Sequence, residues 1–263
     1  MVEVVQQISC PSCGAPVKVV PGEIIITCEY CGSDMKLGEK FFLKHSIIPG
    51  RYKSEDVVEI VKKWMGGGFY KPDDLAKRSI IKSVECVFLP FFIVHLEALT
   101  RYSGFFTRTG ENIPKNGELK KEYFWKVLGR RSSEFPTKEY HIPLSGKTQF
   151  NLAHISKNAK FLNSEIDEKE AENIARQEVG MHQKYLLEDT IDLFSSLDTD
   201  CKIIDTELVH APVWFIDYDY KKHIYKILVD GASGETIKGG IPLPDTSFKG
   251  LFKEMKRGLF SRG

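Results

Sequence analysis

The chain of 263 residues contains no apolar run long enough to span a bilayer, which takes about 18 residues or more, so no transmembrane helix is expected. Its first residues, "MVEVVQQISC", lack a basic stretch leading into an apolar core, so no secretory leader is expected either. No charge of one sign dominates: 37 Lys and Arg face 36 Asp and Glu, for a net of +1. That balance excludes a polybasic or polyacidic chain. Glutamine is scarce beside Lys, Glu and Ile, a composition that leans toward heat-adapted proteins. What remains is ordinary for a globular protein with one substantial core: 42% hydrophobic and 28% charged residues.

Cysteine is also sparse, and its placement is informative. Four of the six cysteines fall in "CPSCGAPVKVVPGEIIITCEYCG", as two Cys-x-x-Cys pairs each followed by Gly. Two intervening residues let both sulfurs turn onto one ion, and the Gly tolerates the positive φ of such a turn. Cys10, Cys13, Cys28 and Cys31 therefore read as a closed four-thiolate zinc site. Fourteen residues separate Cys13 from Cys28, room for a hairpin with "VKVV" and "EIIIT" as strands and Pro21-Gly22 at the turn. The alternatives are a disulfide framework or a thioredoxin-like redox pair, and a redox pair leaves the second pair unexplained. A closed site has no open position for catalysis, so its expected role is to hold the fold of a segment with a small core. Cys86 and Cys201 stand alone in apolar stretches and read as buried small hydrophobes. Free thiols and thiolate zinc suit a reducing cytoplasm.

Beyond the ribbon the expected class is α+β, rich in antiparallel sheet. "FFLKHSIIP" reads as a strand. "SEDVVEIVKKWMGGG" reads as a helix capped by Ser54 and stopped by Gly66 to Gly68. Long β-structure follows over 79–108, interrupted at Pro90, and "EYFWKVLGRR" and "SEFPTKEYHIPLSG" read as further strands. A second helix is expected over about 167–187, with Asp167 and Glu170 as a capping box and Ala171, Ile174, Ala175, His182, Tyr185 and Leu186 on one face. The stretch 201–242 reads as a meander, with candidate turns at Lys221-Lys222 and Asp230 to Gly234. A Pro-x-aromatic step recurs at "LPFF" and "APVW", which suggests two related halves. The expected divisions are 1–40 for the ribbon, 41–162 and 163–244 for the halves, and 245–263 for a tail.

That tail, "SFKGLFKEMKRGLFSRG", spaces Phe248, Leu251, Phe252, Met255, Leu259 and Phe260 as one helical stripe, with Lys253 and Arg257 among its basic residues. It reads as a docking helix for RNA, an anionic lipid surface or a second copy of the chain, which would make a homodimer, or else as a helix packed back on its own domain.

The motifs Cys10–Gly14, Cys28–Gly32, Trp64, Pro90–Phe92, Pro212–Trp214, Tyr218–Tyr220 and Val229–Glu235 together resemble a family of bacterial and archaeal zinc-ribbon proteins, over nearly the whole chain. Phe92 stands where that family has Trp. The resemblance implies a ribbon similar to those of general transcription factors and small ribosomal proteins, followed by an α+β domain without a settled activity. It also extends to ribosome-associated and hibernation factors of archaea, some of which pair ribosomal subunits.

Catalytic motifs fail on spacing. "HIPLSGKT" ends like a phosphate-binding loop, but His141 stands where that loop needs Gly. His95-Leu96-Glu97 has no Pro-Cys-x-x-Cys downstream to complete a deaminase site. "DTDCKIIDTE" lacks the Gly and final Glu of a calcium loop. No nucleophile stands with its base, so a non-enzymatic binding protein is expected.

Charge is segregated along the chain. Residues 101–162 carry twelve basic and five acidic groups, a net of +7, and residues 164–207 carry four and thirteen, a net of −9. Lys120, Lys121, Lys126, Arg130 and Arg131, near Tyr123, Phe124 and Trp125, read as candidate RNA contacts, with the ribosome as the favoured particle. The bland reading is that the two blocks neutralise each other and the aromatics are core. A membrane or scaffold adaptor acting through the tail is the second functional reading, and a transcription-associated DNA-binding factor the third.

Overall fold

In a computed structural model, residues 6–19, 25–36, 44–68, 70–131, 135–156 and 158–242 are described. The tail 245–263 lies outside them, as do Pro21 and Gly22. The fold is mixed α+β and strand-rich. Near the N-terminus β1 (Gln6–Ser9) pairs with β2 (Pro16–Val19), and β3 (Ile25–Thr27) with β4 (Asp34–Lys36). The expected single hairpin is thus two. The reason is local: each cysteine pair sits in a turn whose ends hydrogen-bond across, Cys10 N–H to the Ala15 carbonyl at 2.8 Å and Cys28 N–H to Ser33 at 2.9 Å. Each strand is folded back onto the one that follows its own cysteine pair.

The body is one eight-stranded sheet built on two very long strands, β6 (Ile80–Phe106) and β10 (Leu193–Tyr220). They run antiparallel from Asp219↔Ile80 to Leu193↔Phe105, with register shifts at three points. The other strands are β5 (His45–Ile47), β7 (Ile113–Leu128), β8 (Thr148–Gln149), β9 (Lys160–Phe161), β11 (His223–Asp230) and β12 (Thr236–Gly239). The helices are α1 (Ser54–Met65), the short α2 (Leu75–Arg78) and α3 (Glu168–Leu187).

Proline does not interrupt β6. Pro90 falls in the gap between β9, which pairs parallel at Val87 and Phe88, and β7, which begins pairing at Phe91. Its missing N–H faces that gap, so no ladder bond is lost. Its carbonyl accepts the Gly129 N–H at 2.8 Å. Pro212 does the same in β10, between β5 at His210 and β11 at Val213, and its carbonyl accepts the Gly231 N–H at 2.8 Å.

Alternation along the strands sorts the core. Phe92, Val94, Leu96, Trp214, Ile216 and Tyr218 face α1 and α3, and Phe91, Ile93, Val213 and Leu228 pack under the connection around Phe135, Tyr140 and Leu162 on the other face. That connection, expected as a strand, is turns and a short 3-10 segment at Leu144–Gly146, because Pro136 and Pro143 cannot sustain a ladder.

The α1 cap is Lys53 rather than Ser54, its N–H donating to Asp56 Oδ2 at 2.9 Å. Asp167 caps α3, accepting the Glu170 N–H at 2.7 Å. The buried face of α3 is Ala171, Ala175, Val179, Gln183 and Leu187, while Tyr185 is 68% exposed. The small residues at i+4 spacing let the helix lie close on the sheet, and the bulkier stripe expected from hydrophobicity is turned aside.

Candidate metal centre

The two cysteine turns are built alike. Gly14 (φ 75°) and Gly32 (φ 71°) close them in the left-handed region, and their N–H groups each donate at 2.8 Å to the carbonyls of Cys10 and Cys28. The fold brings all four Sγ atoms within 4.8 Å of one another. Cys10 to Cys31 is 3.8 Å and Cys13 to Cys28 is 3.7 Å. Sulfurs bound at about 2.3 Å to one tetrahedral ion stand about 3.8 Å apart. A disulfide needs about 2.05 Å, and all four thiols are free. The site can hold one metal ion with no ligand position left over.

The electrostatics ask for a cation. Ser33 Oγ lies 3.0 Å from Cys31 Sγ and 3.5 Å from Cys10 Sγ, and its hydroxyl holds the Cys10 thiol down at about 6. Cys13 moves the other way, to about 12: the Ala15 amide lowers it, but the Cys31 sulfur, desolvation and the sulfurs of Cys10 and Cys28 together raise it more. Four sulfurs this close become thiolates together only around a positive ion. Cys10 and Cys28 are buried with Val17, Val19, Ile26 and Met35, and Cys13 and Cys31 lie at the surface. Tyr30, inside the second turn, is 70% exposed.

The ribbon is tied to the body by a side chain that no motif announces. Asn163 Oδ1 accepts the Ile25 N–H at 3.2 Å, and Asn163 Nδ2 donates to the Ile25 carbonyl at 2.6 Å. The amide thus imitates a neighbouring strand on β3. Arg130 holds Asn163 in turn, donating to its carbonyl at 3.1 Å.

The five candidate RNA contacts do not form one patch. Lys120 pairs with Glu97 at 2.8 Å on the sheet face away from α3. Lys121 is opposite Ala98, which faces α3, so the two lysines point to opposite faces. Lys126 donates to the Tyr140 carbonyl, and burial lowers its pKa. Arg130 pairs with Glu165 at 2.6 Å and Arg131 with Glu170 at 2.8 Å. At about 3.3 Å per residue, position 120 is some 26 Å of strand from position 128. Around Lys120 the aligned rows Asp198/Arg101/Glu118, Asp200/Leu99/Lys120 and Lys202/Glu97/Glu122 carry three basic and five acidic groups.

The three aromatics separate. Tyr123 and Trp125 turn toward α3, with Trp125 Nε1 donating to Glu178 at 2.6 Å, and Phe124 turns out, 65% exposed. His95 stacks on Phe124 with ring centres 4.2 Å apart and is hydrogen-bonded to Glu122. Period-two alternation distinguishes Phe124 from its neighbours, but nothing in the sequence says which parity faces the helix.

No protein-family model, curated protein or solved structure matches the chain. Among the described residues no helix is long and apolar enough to cross a membrane.

Proposed function

We propose that the protein is a non-enzymatic binding module, organised at its N-terminus by one structural zinc, that engages RNA or a ribonucleoprotein particle, with the ribosome as the favoured particle. The observation that carries this reading is the four-sulfur cage: every coordination position is taken by cysteine, so the ion holds a surface in shape. That surface displays Tyr30. A ring fixed on a rigid turn suits stacking on an unpaired base, as does Phe124 braced by His95. Zinc is the ion of choice because four thiolates at tetrahedral spacing match its coordination. A duplicated unit is the reading of the body, since the same parallel-then-antiparallel pairing surrounds both Pro90 and Pro212. The test is sedimentation of a native lysate with and without ribonuclease. The protein should travel with ribosomal particles and return to the top of the gradient after nuclease. Sedimentation with vesicles would favour the second reading, an adaptor docked through the tail.

A further inference from the structure

Among the described residues, Lys221 (φ 51°) and Lys222 (φ 69°) are the ones other than glycine with positive φ. They form the two-residue loop between β10 and β11, closed by the pair Tyr220↔His223. Such a loop needs positive φ at both central positions, which is why Asn-Gly is preferred there. A lysine β-carbon in that region crowds its own backbone. The turn is braced from outside: Asp219 Oδ1 accepts the Lys222 N–H at 3.0 Å, and His223 Nδ1 donates to the Lys221 carbonyl at 3.0 Å. Neither ammonium group forms a salt bridge among the described residues, though Lys221 lies close enough to Tyr220 and Asp74 to interact with both. Lys221 Nζ stands 5.0 Å from the centre of the Tyr220 ring, and both side chains are exposed. Strain retained for a small gain to the fold points to a role outside it.

The surroundings supply that role. Tyr220 OH donates to Asp74 Oδ1 at 2.7 Å, which sets α2 beside the turn, and the register Asp219↔Ile80 sets the start of β6 there. Lys77, Arg78 and Lys82 are exposed at these two elements. The nearby carboxylates Asp74 and Asp219 are both engaged, Asp74 with Tyr220 and, at 3.4 Å, Arg78, and Asp219 with the turn and, at 3.9 Å, Lys82, while Asp73 is exposed beside them; Lys77, Lys221 and Lys222 form no salt bridge among the described residues. Five cations thus gather at one corner, unlike those of β7, which are spread over both faces of the sheet.

We infer that the β10–β11 tip is a phosphate-binding corner for the RNA backbone, with Lys221 and Lys222 as its leading contacts and Lys77, Arg78 and Lys82 as its flank. The inference rests on the RNA reading above and names its contact surface. Lysine suits phosphate as a mobile point charge, and a narrow two-strand tip can follow a backbone without reading bases.

The test is the double variant Lys221→Asn with Lys222→Gly, which installs the preferred turn and removes both charges. Its melting temperature should rise, since the strain is relieved. Its affinity for a labelled random-sequence RNA oligonucleotide should nevertheless fall roughly tenfold at low salt. The slope of log affinity against log salt should flatten by about 1.4, two single-strand phosphates' worth. A second variant, Lys77→Ala with Arg78→Ala, leaves the turn alone and should weaken binding in the same direction. If the wild type binds RNA and both variants bind as tightly, the corner is refuted while the RNA reading stands. If the wild type binds no RNA at low salt, the RNA reading itself is refuted. Competition by polyglutamate as strong as by RNA of equal charge would overturn the corner in favour of an acidic protein partner.

Discussion

Replacing Tyr140 by Phe removes one oxygen from a fully enclosed polar contact in the body. Tyr140 is 1% exposed and Asp230 2% exposed. The Tyr140 hydroxyl donates to Asp230 Oδ2, while Asp230 Oδ1 accepts the N–H groups of Ala232 at 2.8 Å and Ser233 at 2.5 Å. The pair therefore ties the connection on one sheet face to the turn between β11 and β12. Phenylalanine keeps the ring against Phe91 and Phe135, whose centres lie 5.5 and 5.8 Å away. What is lost is the hydrogen bond to a buried carboxylate oxygen, about 1.5–3 kcal/mol. For a chain of this size each kcal/mol moves the melting temperature by about 2–4 °C, so a drop of about 3–12 °C is expected. Thermal unfolding followed by circular dichroism reads it directly. Burial and the Asp230 charge hold the Tyr140 phenol well above its ordinary value. The folded state thus keeps a proton that the unfolded chain releases above about pH 10. The stability contributed by this group is full below that pH and is lost as pH rises above it. The Phe variant should show a shallower alkaline decline than the wild type. A melting temperature within about 1 °C of the wild type at pH 7 would show that Asp230 does not depend on Tyr140, and the reasoning would fail.

Metal analysis should return one zinc per chain, lost on Cys28→Ser. Chelation should expose the backbone amides of 6–36 to hydrogen exchange while those of β6 and β10 stay protected. Asn163→Asp sets a carboxylate oxygen where an amide now donates to the Ile25 carbonyl at 2.6 Å. It should raise exchange at Ile25 to Thr27 without releasing zinc, and unchanged exchange would show that the clamp is not what holds β3. Gly239→Ala places a β-carbon 2.1 Å from the Trp64 ring. It should destabilise by about 1–3 kcal/mol in urea unfolding through overpacking. Arg130→Ala with Arg131→Ala should flatten the salt slope of RNA binding by well under the two-phosphate value, because Glu165 and Glu170 already neutralise both groups.

The four-cysteine cluster was legible because a site that can hold one metal ion has a short-range pattern: two residues between sulfurs and a Gly after each pair. The spans of α1 and α3 were legible because helical periodicity is local, whereas the short α2, the residue that caps α1 and the face that α3 buries were not. What escaped was set across long distances in sequence. The Asn163 clamp joins positions 138 residues apart, and one asparagine in "FLNSE" carries no signal. The strand through Pro90 was misread because proline is a breaker only where its N–H would have had a partner, and the gap between β9 and β7 is a tertiary fact. The hairpin order of the ribbon was misread because "VKVV" and "EIIIT" look like partners, yet each is folded back by its own cysteine turn. Lys221-Lys222 was read as a turn, but its strain was invisible until φ was known.

The charge blocks bear most directly on function. The basic 101–162 segment and the acidic 164–207 segment meet in space: Arg108 with Asp189 and Asp192, Arg130 with Glu165, Arg131 with Glu170, and Lys147 with Glu207. Several of these pairs are exposed, and each adds little stability. Their larger effect is on the field, because paired charges of opposite sign cancel within about one Debye length, near 8–10 Å. A polyanion approaching this part of the chain therefore meets less net attraction than the +7 of its segment suggests. Attraction then survives best at Lys221 and Lys222, which form no salt bridge among the described residues, while Arg78 and Lys82 beside them are paired with Asp74 and Asp219. Charge counted along the chain does not show which cations are already paired. Which carboxylates are already engaged decides how much of a segment's net charge a partner can feel.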